Sequence, residues 1–365
     1  APIRGADGRS LLITAGADHT VRIWDTAAED QRPGAVSSTG HTGPVLGGCL
    51  VPGTHGPPLL VTAGADHTVR SWDATTGRPR NTLTGHGKAV HGVCAVEGPE
   101  GELLLASAGA DHTVRVWDST TGDLLHTLTG HDGPVRGVCG LLGPGQRALL
   151  ASAGADHVVL VWDPVTGRQL RVLAGHTDVV YGVCAVPGRD GRSLLASAGA
   201  DHTARIWDPT TRRSWRRHQH TLTGHDGPVR AVGSLSGPGG EPILATASFD
   251  HTVRLWNPLT GDRLQTLTGH TSWVRGVCEI PDPGGPPILA TASADRTVRL
   301  WDRDTGSELL RLVTSASLFG IATVPAPQTG RCLVAVYGAA GVGVLDVNPA
   351  GVRSNGCPSS AGDLG

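Results

Sequence analysis

Residues 111–118, Asp-His-Thr-Val-Arg-Val-Trp-Asp, decide the fold, because close copies of this stretch recur along the chain. The copies begin at Asp18, Asp66, Asp111, Asp156, Asp201, Asp250 and Asp295. Successive copies are 48, 45, 45, 45, 49 and 45 residues apart. A regular period of this size indicates a repeat architecture rather than a set of unrelated domains.

A second motif, Gly-His, precedes six of these copies in constant phase. It occurs at Gly40-His41, Gly85-His86, Gly130-His131, Gly175-His176, Gly224-His225 and Gly269-His270. One period predicts four short strands separated by turn residues: Val90 to Val96, Leu103 to Ala108, Thr113 to Trp117 and Leu124 to Leu128. A single small sheet cannot bury both of its faces, so the repeated sheets are expected to stack radially on one another.

These two phased motifs make roughly residues 11 to 349 resemble the WD40-repeat family. The resemblance implies an all-β propeller of four-stranded antiparallel blades. Family habit favours seven blades, whereas the uniform spacing also allows eight. Residues 1–349 then form the propeller, with a partial blade at 11–37, repeats near 40–84, 85–129, 130–174, 175–223, 224–268 and 269–313, a degenerate last blade at 314–349 and a tail at 350–365. A start in mid-blade predicts either that the chain is cut from a longer protein, whose other domains would then be partners, or that the N-terminal hairpin belongs to an upstream unit.

The resemblance also implies a buried hydrogen-bonded tetrad of His, Ser or Thr, Asp and Trp in each full repeat. The six tetrads would be His41, Thr62, Asp66, Trp72; His86, Ser107, Asp111, Trp117; His131, Ser152, Asp156, Trp162; His176, Ser197, Asp201, Trp207; His225, Thr246, Asp250, Trp256; and His270, Thr291, Asp295, Trp301. A buried carboxylate without donors would cost several kcal/mol, which is an independent reason to expect such partners around each Asp.

Composition argues against nucleic acid or a membrane as the partner. The net charge is −2, no stretch is apolar enough to span a bilayer, and Ala1 to Ser10 lacks the layout of a signal peptide. Five cysteines recur at one repeat position (Cys49, Cys94, Cys139, Cys184, Cys278), which indicates packing rather than disulfides and favours the reducing cytoplasm. The use of Arg over Lys, with Lys88 the only lysine, indicates a bacterial coding style.

Neither catalysis nor a cofactor is predicted. A His, Asp and hydroxyl trio present in six copies marks a framework, since an active site is singular. A second histidine set (His19, His67, His112, His157, His202, His251) occurs once per repeat, too far apart to share one metal ion. His218 and His220 lack a third ligand. We therefore expect no metal and no enzyme activity.

Departures from the repeat are expected to mark binding, because a residue unique to one blade is not needed for packing within that blade. The resemblance to the WD40 family implies that partners bind through three variable positions: the start of the first strand, two residues later, and the residue before the turn Asp. The candidate partner-binding residues are His91, Arg136, Tyr181, Arg230, Phe249, Trp273, Arg275 and Phe319. Arginines and aromatics of this kind predict an Arg-rimmed, aromatic-floored pocket for an acidic or phosphorylated peptide.

A second candidate patch is the insertion that contains Arg212, Arg213, Trp215, Arg216 and Arg217, expected on the opposite face. Its arginines could bind an anion or a partner domain, or the insertion could be a solvated loop with Trp215 packed down. The leading prediction is therefore a module that binds a protein or peptide on the face of the Gly-His and Asp turns. The alternative is an enzyme or small-ligand binder that uses the central channel, which would require singular polar residues near the axis; the sequence offers mostly repeated ones. A purely structural or oligomerising role is third.

Overall fold

A computed structural model describes residues 2–4, 10–15, 20–25, 38–51, 58–74, 78–98, 101–188, 193–209, 218–282, 285–314, 316–326, 331–338, 341–347 and 352. Its strands form eight antiparallel sheets, seven of four strands and one of three. Short 3-10 turns at Pro144–Gln146 and Pro238–Gly240 link the first and second strands of two blades.

The strands follow the sequence period. The N-terminal sheet comprises β1 Pro2–Arg4, β2 Ser10–Ala15, β3 Thr20–Asp25 and β4 Ser38–Thr39. The next three comprise β5 Val45–Val51, β6 Leu59–Gly64, β7 Val69–Asp73, β8 Pro79–Leu83; β9 Val90–Glu97, β10 Leu103–Gly109, β11 Val114–Asp118, β12 Leu124–Leu128; and β13 Val135–Leu142, β14 Ala148–Gly154, β15 Val158–Trp162, β16 Gln169–Ala174. The last four comprise β17 Val180–Pro187, β18 Ser193–Gly199, β19 Ala204–Trp207, β20 His218–Leu222; β21 Val229–Ser236, β22 Pro242–Ser248, β23 Val253–Trp256, β24 Arg263–Leu267; β25 Val274–Ile280, β26 Ile288–Ser293, β27 Thr297–Asp302, β28 Glu308–Val313; and β29 Leu318–Ala326, β30 Arg331–Gly338, β31 Gly341–Val347.

Each strand position in a blade has its own burial pattern. The second strand is buried along almost its whole length, as in β14, where two leucines are followed by the small residues Ala-Ser-Ala-Gly. The fourth strand is mostly exposed, as in β12 and β24, with only its last leucine buried. Small residues in the second strand let neighbouring sheets approach closely, so the cores form between blades rather than within one sheet.

One such core lies between the blade of β9 to β12 and the blade of β13 to β16. It combines Leu104 and Val116 from the first blade with Leu150, Leu160 and Trp162 from the second. The repeat Trp therefore has two roles: its indole N–H donates a hydrogen bond within its own tetrad, and its ring packs against the neighbouring blade. No blade of this kind can bury its apolar face alone, which explains why the repeat is obligatory.

The ring closes with seven blades. The inner strands β5, β9, β13, β17, β21, β25 and β29 pack against one another in this order, and β29 packs against β5. The N-terminal sheet lies outside this ring, and its strand β2 lies against β31. Spacing alone could not choose between seven and eight blades, because the choice depends on which two strands far apart in sequence meet at the closure.

The N-terminal unit differs from the prediction in one respect. The sequence predicts no first strand there, whereas Pro2–Arg4 pairs with β2 and completes a four-stranded sheet. This strand is three residues long and follows no Gly-His motif, so periodicity does not reveal it. Its fourth strand, Ser38–Thr39, is also very short.

Candidate functional site

The tetrads have the same geometry in all six full repeats. In the blade of β13 to β16, His131 Nδ1 lies 2.8 Å from Asp156 Oδ2, and His131 Nε2 lies 2.8 Å from Ser152 Oγ. Trp162 Nε1 donates to the same hydroxyl oxygen at 2.8 Å. Equivalent contacts join the other five sets.

The tetrad hydroxyls are unsuited to act as nucleophiles. Ser107, Ser152 and Ser197 are 0% exposed, and each oxygen already accepts a hydrogen bond from a tryptophan. The tetrad carboxylates accept hydrogen bonds from the turns. Burial raises the pKa of Asp111, but hydrogen bonds from the Gly87 N–H, Thr113 and His86 outweigh that effect and lower the pKa to about 2. Each tetrad thus ties the Gly-His turn to the Asp turn of its blade.

The histidines after the turn aspartates have a backbone role. His67, His112, His157, His202 and His251 all adopt left-handed φ angles of 65 to 70°, and Arg296 takes the same place in the sixth repeat.

His220 Nε2 lies 2.9 Å from the Leu259 carbonyl oxygen. Within the described residues, no group of three or more His, Cys, Asp or Glu is arranged to hold a metal ion. His19 lies outside those residues.

The five repeated cysteines are free thiols in the inner strands. Burial raises the pKa of Cys49 and of Cys184 to about 12. A thiol with so high a pKa holds its proton and is a poor nucleophile or metal ligand. These side chains act as small packing groups behind the channel wall.

The predicted variable ring converges on one cavity at the centre of the propeller, of about 210 Å³. The position two residues into the first strand contributes Leu46, His91, Arg136, Tyr181, Arg230, Arg275 and Phe319, and all seven line this cavity. Deeper wall positions are supplied by glycines and by Val or Ile. No Asp or Glu occurs among the lining residues. Three guanidinium groups therefore face a cavity without a compensating carboxylate.

Aromatic rings extend from the cavity across consecutive blades. The ring centroids of Tyr181 and Phe249 are 6.3 Å apart, and those of Phe249 and Trp273 are stacked at 4.5 Å with an interplanar angle of 12°. Arg230 lies 5.3 Å from the Tyr181 ring. Arg275 lies between two rings, 5.3 Å from that of Trp273 and 5.1 Å from that of Phe319. These contacts fix the arginines without neutralising them.

Phe249 and Trp273 do not line the cavity but lie beside its opening. In each repeat, the residue before the turn Asp donates its N–H to the carbonyl oxygen at the start of the first strand, as Ala294 does to Trp273 at 2.9 Å. The two variable positions of a blade are thus neighbours on one edge. Trp273 is 44% exposed, whereas the cavity-lining arginines are half-buried. Trp273 therefore lies at the rim, and the three arginines line the cavity together with Tyr181 and Phe319; an arginine rim above an aromatic floor stays a prediction.

The cavity combines positive charge with burial, and both shift the pKa values of its basic side chains. Burial, together with the charges of Arg136 and Arg230, lowers the pKa of His91 to about 4. Burial also lowers the pKa of Arg230, although nearby Tyr337 and Tyr181 oppose the shift. An anion in the cavity would relieve both effects, because it would offset the positive charge that the fold concentrates there.

Tyr337 is a cavity residue that the sequence comparison missed. It lies on β30 opposite Gly320, at the place that alanine occupies in the second strands of the six full repeats, for example Ala108 and Ala292. A side chain on Gly320 would collide with the Tyr337 ring, and Gly48 of the next blade also borders it. Burial raises the Tyr337 pKa to about 12, so the phenol keeps its proton as a donor. The available signal was the break in the alanine series.

The second candidate patch, Arg212, Arg213, Trp215, Arg216 and Arg217, lies outside the described residues and stays a prediction. Across the described part of the chain, no helix is long and apolar enough to cross a membrane.

Comparison with known families identifies the repeat. The family profile described as WD domain, G-beta repeat matches residues 5–25, 35–73, 77–118, 122–163, 167–208, 216–257 and 261–302. These seven segments cover well over half of the chain. A search of curated proteins gave no match.

Proposed function

Because the chain belongs to the WD40-repeat family, whose propellers are general scaffolds for protein interactions, we propose that its central channel binds an acidic or phosphorylated peptide. The peptide would enter from the face of the Gly-His and Asp turns. Its anionic group would lie among Arg136, Arg230 and Arg275. Binding of this kind needs no catalytic group.

The observation that carries the proposal is the uncompensated charge of the channel. Three arginines and no carboxylate line a cavity of about 210 Å³, and the protein as a whole has a net charge of −2. Placing three unpaired arginine charges in one channel destabilises the folded protein, because buried charges without partners are unfavourable. A carboxylate or phosphoryl partner offsets that cost through charge-assisted hydrogen bonds, which are about twice as strong as neutral ones.

The aromatic residues beside the opening support a peptide rather than a bare ion. Trp273 is the exposed end of a stack that continues through Phe249 to Tyr181. Aromatic and arginine side chains are the residue types most enriched in interface hot spots. A peptide could therefore place an acidic side chain in the channel and an apolar side chain against Trp273.

The test is capture of peptides from a library that pairs each phosphorylated or acidic sequence with its neutral counterpart. The double variant Arg230→Ala/Arg275→Ala is expected to lose at least about tenfold in affinity. The matched control, Arg80→Ala/Arg168→Ala, removes two exposed arginines from the outer part of the propeller and gives the same change in net charge. Equal capture by both double variants would overturn the proposal.

A second candidate function is binding of a small anionic metabolite in the same channel. The convergence of the singular residues Tyr181 and Tyr337 with the arginines on one cavity favours it, because this function requires singular polar residues near the axis. Calorimetry with phenyl phosphate separates the two functions. Tight binding of this small probe, undiminished in Trp273→Ala, would favour a metabolite. Weak binding that an attached peptide strengthens through Trp273 would favour a peptide.

The cellular setting proposed here is the cytoplasm. Five free thiols at one packing position suit a reducing compartment, where they persist without forming disulfides.

A further inference from the structure

In four blades an arginine two residues before the repeat tryptophan lies over the glycine of the Gly-His motif; these arginines are Arg115, Arg205, Arg254 and Arg299. In the blade of β25 to β28 this residue is Arg299, which is buried and donates from Nη1 to Glu308 Oε2 at 2.6 Å. The carboxylate comes from the start of the fourth strand, where Glu308 pairs in register with Trp301. A buried guanidinium is thus neutralised within its own blade.

The preceding blade has the same arginine but the opposite charge at the partner position. Arg254 replaces Arg299, and Arg263, which pairs in register with Trp256, replaces Glu308. An ideal Cβ position on Gly224 lies 2.5 Å from Arg254 Nη1 and 3.9 Å from Arg263 Nη1. The two nitrogens are therefore at most about 6.4 Å apart, the sum of those distances.

Arg254 has no compensating partner among the described residues. It is 8% exposed, and its Nε and Nη1 atoms are both buried without a hydrogen bond. Neither Arg254 nor Arg263 forms an ion pair in the part of the chain that the structure describes. An uncompensated buried charge beside a second cation is unfavourable, so this arrangement calls for an external anion.

The charge reversal is specific to this blade. At the same fourth-strand position, the other full repeats have Pro79, Leu124, Gln169, His218 and Glu308. Only the blade of β21 to β24 places a second arginine there. Repetition therefore explains Arg254, but it does not explain Arg263.

We propose that Arg254 and Arg263 form a phosphate-binding site on the blade of β21 to β24, separate from the central channel. Because Arg254 Nη1 is buried, the Arg254 guanidinium must turn toward Arg263 to bind an external anion. One phosphoryl group can then accept from both arginines, since two bonds of about 2.8 Å to different oxygens of one phosphate span the gap between the nitrogens. A dianion suits two arginines better than a single carboxylate does. The phosphoryl group belongs either to a free metabolite or to a phosphorylated side chain of a partner.

The test measures the thermal unfolding midpoint of the full chain against inorganic phosphate, at constant ionic strength with chloride as balance. A ligand that binds the folded state raises the midpoint with concentration. In Arg263→Glu, a Glu that pairs with Arg254 as Glu308 does with Arg299 should raise the midpoint without phosphate. It should also remove the part of the phosphate response that does not depend on the channel arginines. Arg80→Glu, an exposed outer-strand change of equal charge, should keep the response.

The channel is controlled for separately. The variant Arg230→Ala/Arg275→Ala weakens phosphate binding in the channel but should keep the response that Arg263→Glu removes. If the channel has no affinity for phosphate, the proposal for Arg254 and Arg263 is unaffected. The reciprocal change Glu308→Arg should create a second copy and enlarge the response. A phosphate response equal in wild type and Arg263→Glu would overturn the proposal.

The source of the phosphoryl group follows from competition. A phosphoserine peptide that displaces labelled phosphate in wild type, but not from Arg263→Glu, would identify a phosphorylated partner. Displacement by small phosphate monoesters alone would identify a metabolite. Either result supports the site.

Discussion

Arg136 donates a hydrogen bond from Nη1 to Nε2 of His91, 2.9 Å away, across the boundary between two neighbouring blades. His91 must be neutral to accept it, and burial with the nearby charges of Arg136 and Arg230 lowers its pKa to about 4. One of the three channel arginines is thus held by an uncharged partner that can itself become a cation.

This contact predicts that anion binding in the channel is coupled to proton uptake. A bound anion offsets the arginine charges, so the pKa of His91 should rise in the complex, and affinity should increase as the pH falls from about 7 to about 5. Calorimetry in two buffers of different ionisation enthalpy measures the protons taken up. His91→Gln, which can accept from Arg136 without titrating, should flatten the pH dependence. A wild-type affinity that does not change with pH would contradict the coupling.

The second prediction concerns the tetrad hydroxyl. In Ser152→Ala the indole N–H of Trp162 and the Nε2 atom of His131 both lose their buried partner. Leaving such groups unsatisfied costs about 1–3 kcal/mol of the free energy of unfolding, measured by urea denaturation. Ser152→Thr is the matched control, because Thr246 and Thr291 hold the same place in other blades. Equal losses in the two variants would indicate a packing effect instead.

The repeat made the tetrads accessible from sequence, because His, Asp, hydroxyl and Trp occur at constant spacing in six copies. The seven channel positions were accessible for the same reason, as departures at one repeat position. Tyr337 also departs from its repeat position, where every full repeat has alanine, but it lies on a second strand, and the repeat does not show that this position reaches the channel. Seeing its role requires knowing that Gly320 leaves room for the ring.

Two further features depend on packing between distant segments. The stack of Phe249 on Trp273 joins residues of adjacent blades, and its geometry follows from the angle between those blades. The meeting of β29 with β5 decides the blade number. Neither relationship leaves a periodic signal, because each occurs once. The sequence identifies singular residues by their repeat position, but which of them contact one another depends on how the blades pack and on where the ring closes.

The third prediction is a stepwise loss of stability in acid. Burial lowers the folded-state pKa of His86, so the unfolded state binds more protons and stability declines as the pH falls below about 6.5. Hydrogen bonds hold the pKa of Asp111 at about 2 despite burial, so its contribution is present above about pH 4 and is lost as the pH falls toward 2. Urea titrations across this range should show both declines. Asp111→Asn should weaken the lower one, and an unchanged profile would argue against this assignment.

The last prediction concerns the aromatic stack beside the channel. Phe249 occupies a position where the five other full repeats have alanine, namely Ala65, Ala110, Ala155, Ala200 and Ala294. Phe249→Ala should therefore fold and change the free energy of unfolding by no more than about 1 kcal/mol, since Phe249 is only partly buried. The same change removes the support beneath Trp273, which is 44% exposed, and frees its ring. We expect partner affinity to fall by about tenfold, because a preorganised aromatic anchor loses less conformational entropy on binding than a mobile one.

Ala294→Phe, which places an aromatic at the same position of the next blade, is the control and should not restore binding when combined with Phe249→Ala. If Phe249→Ala kept full affinity while Trp273→Ala lost it, Trp273 alone would form the contact and the stack would have no part in it.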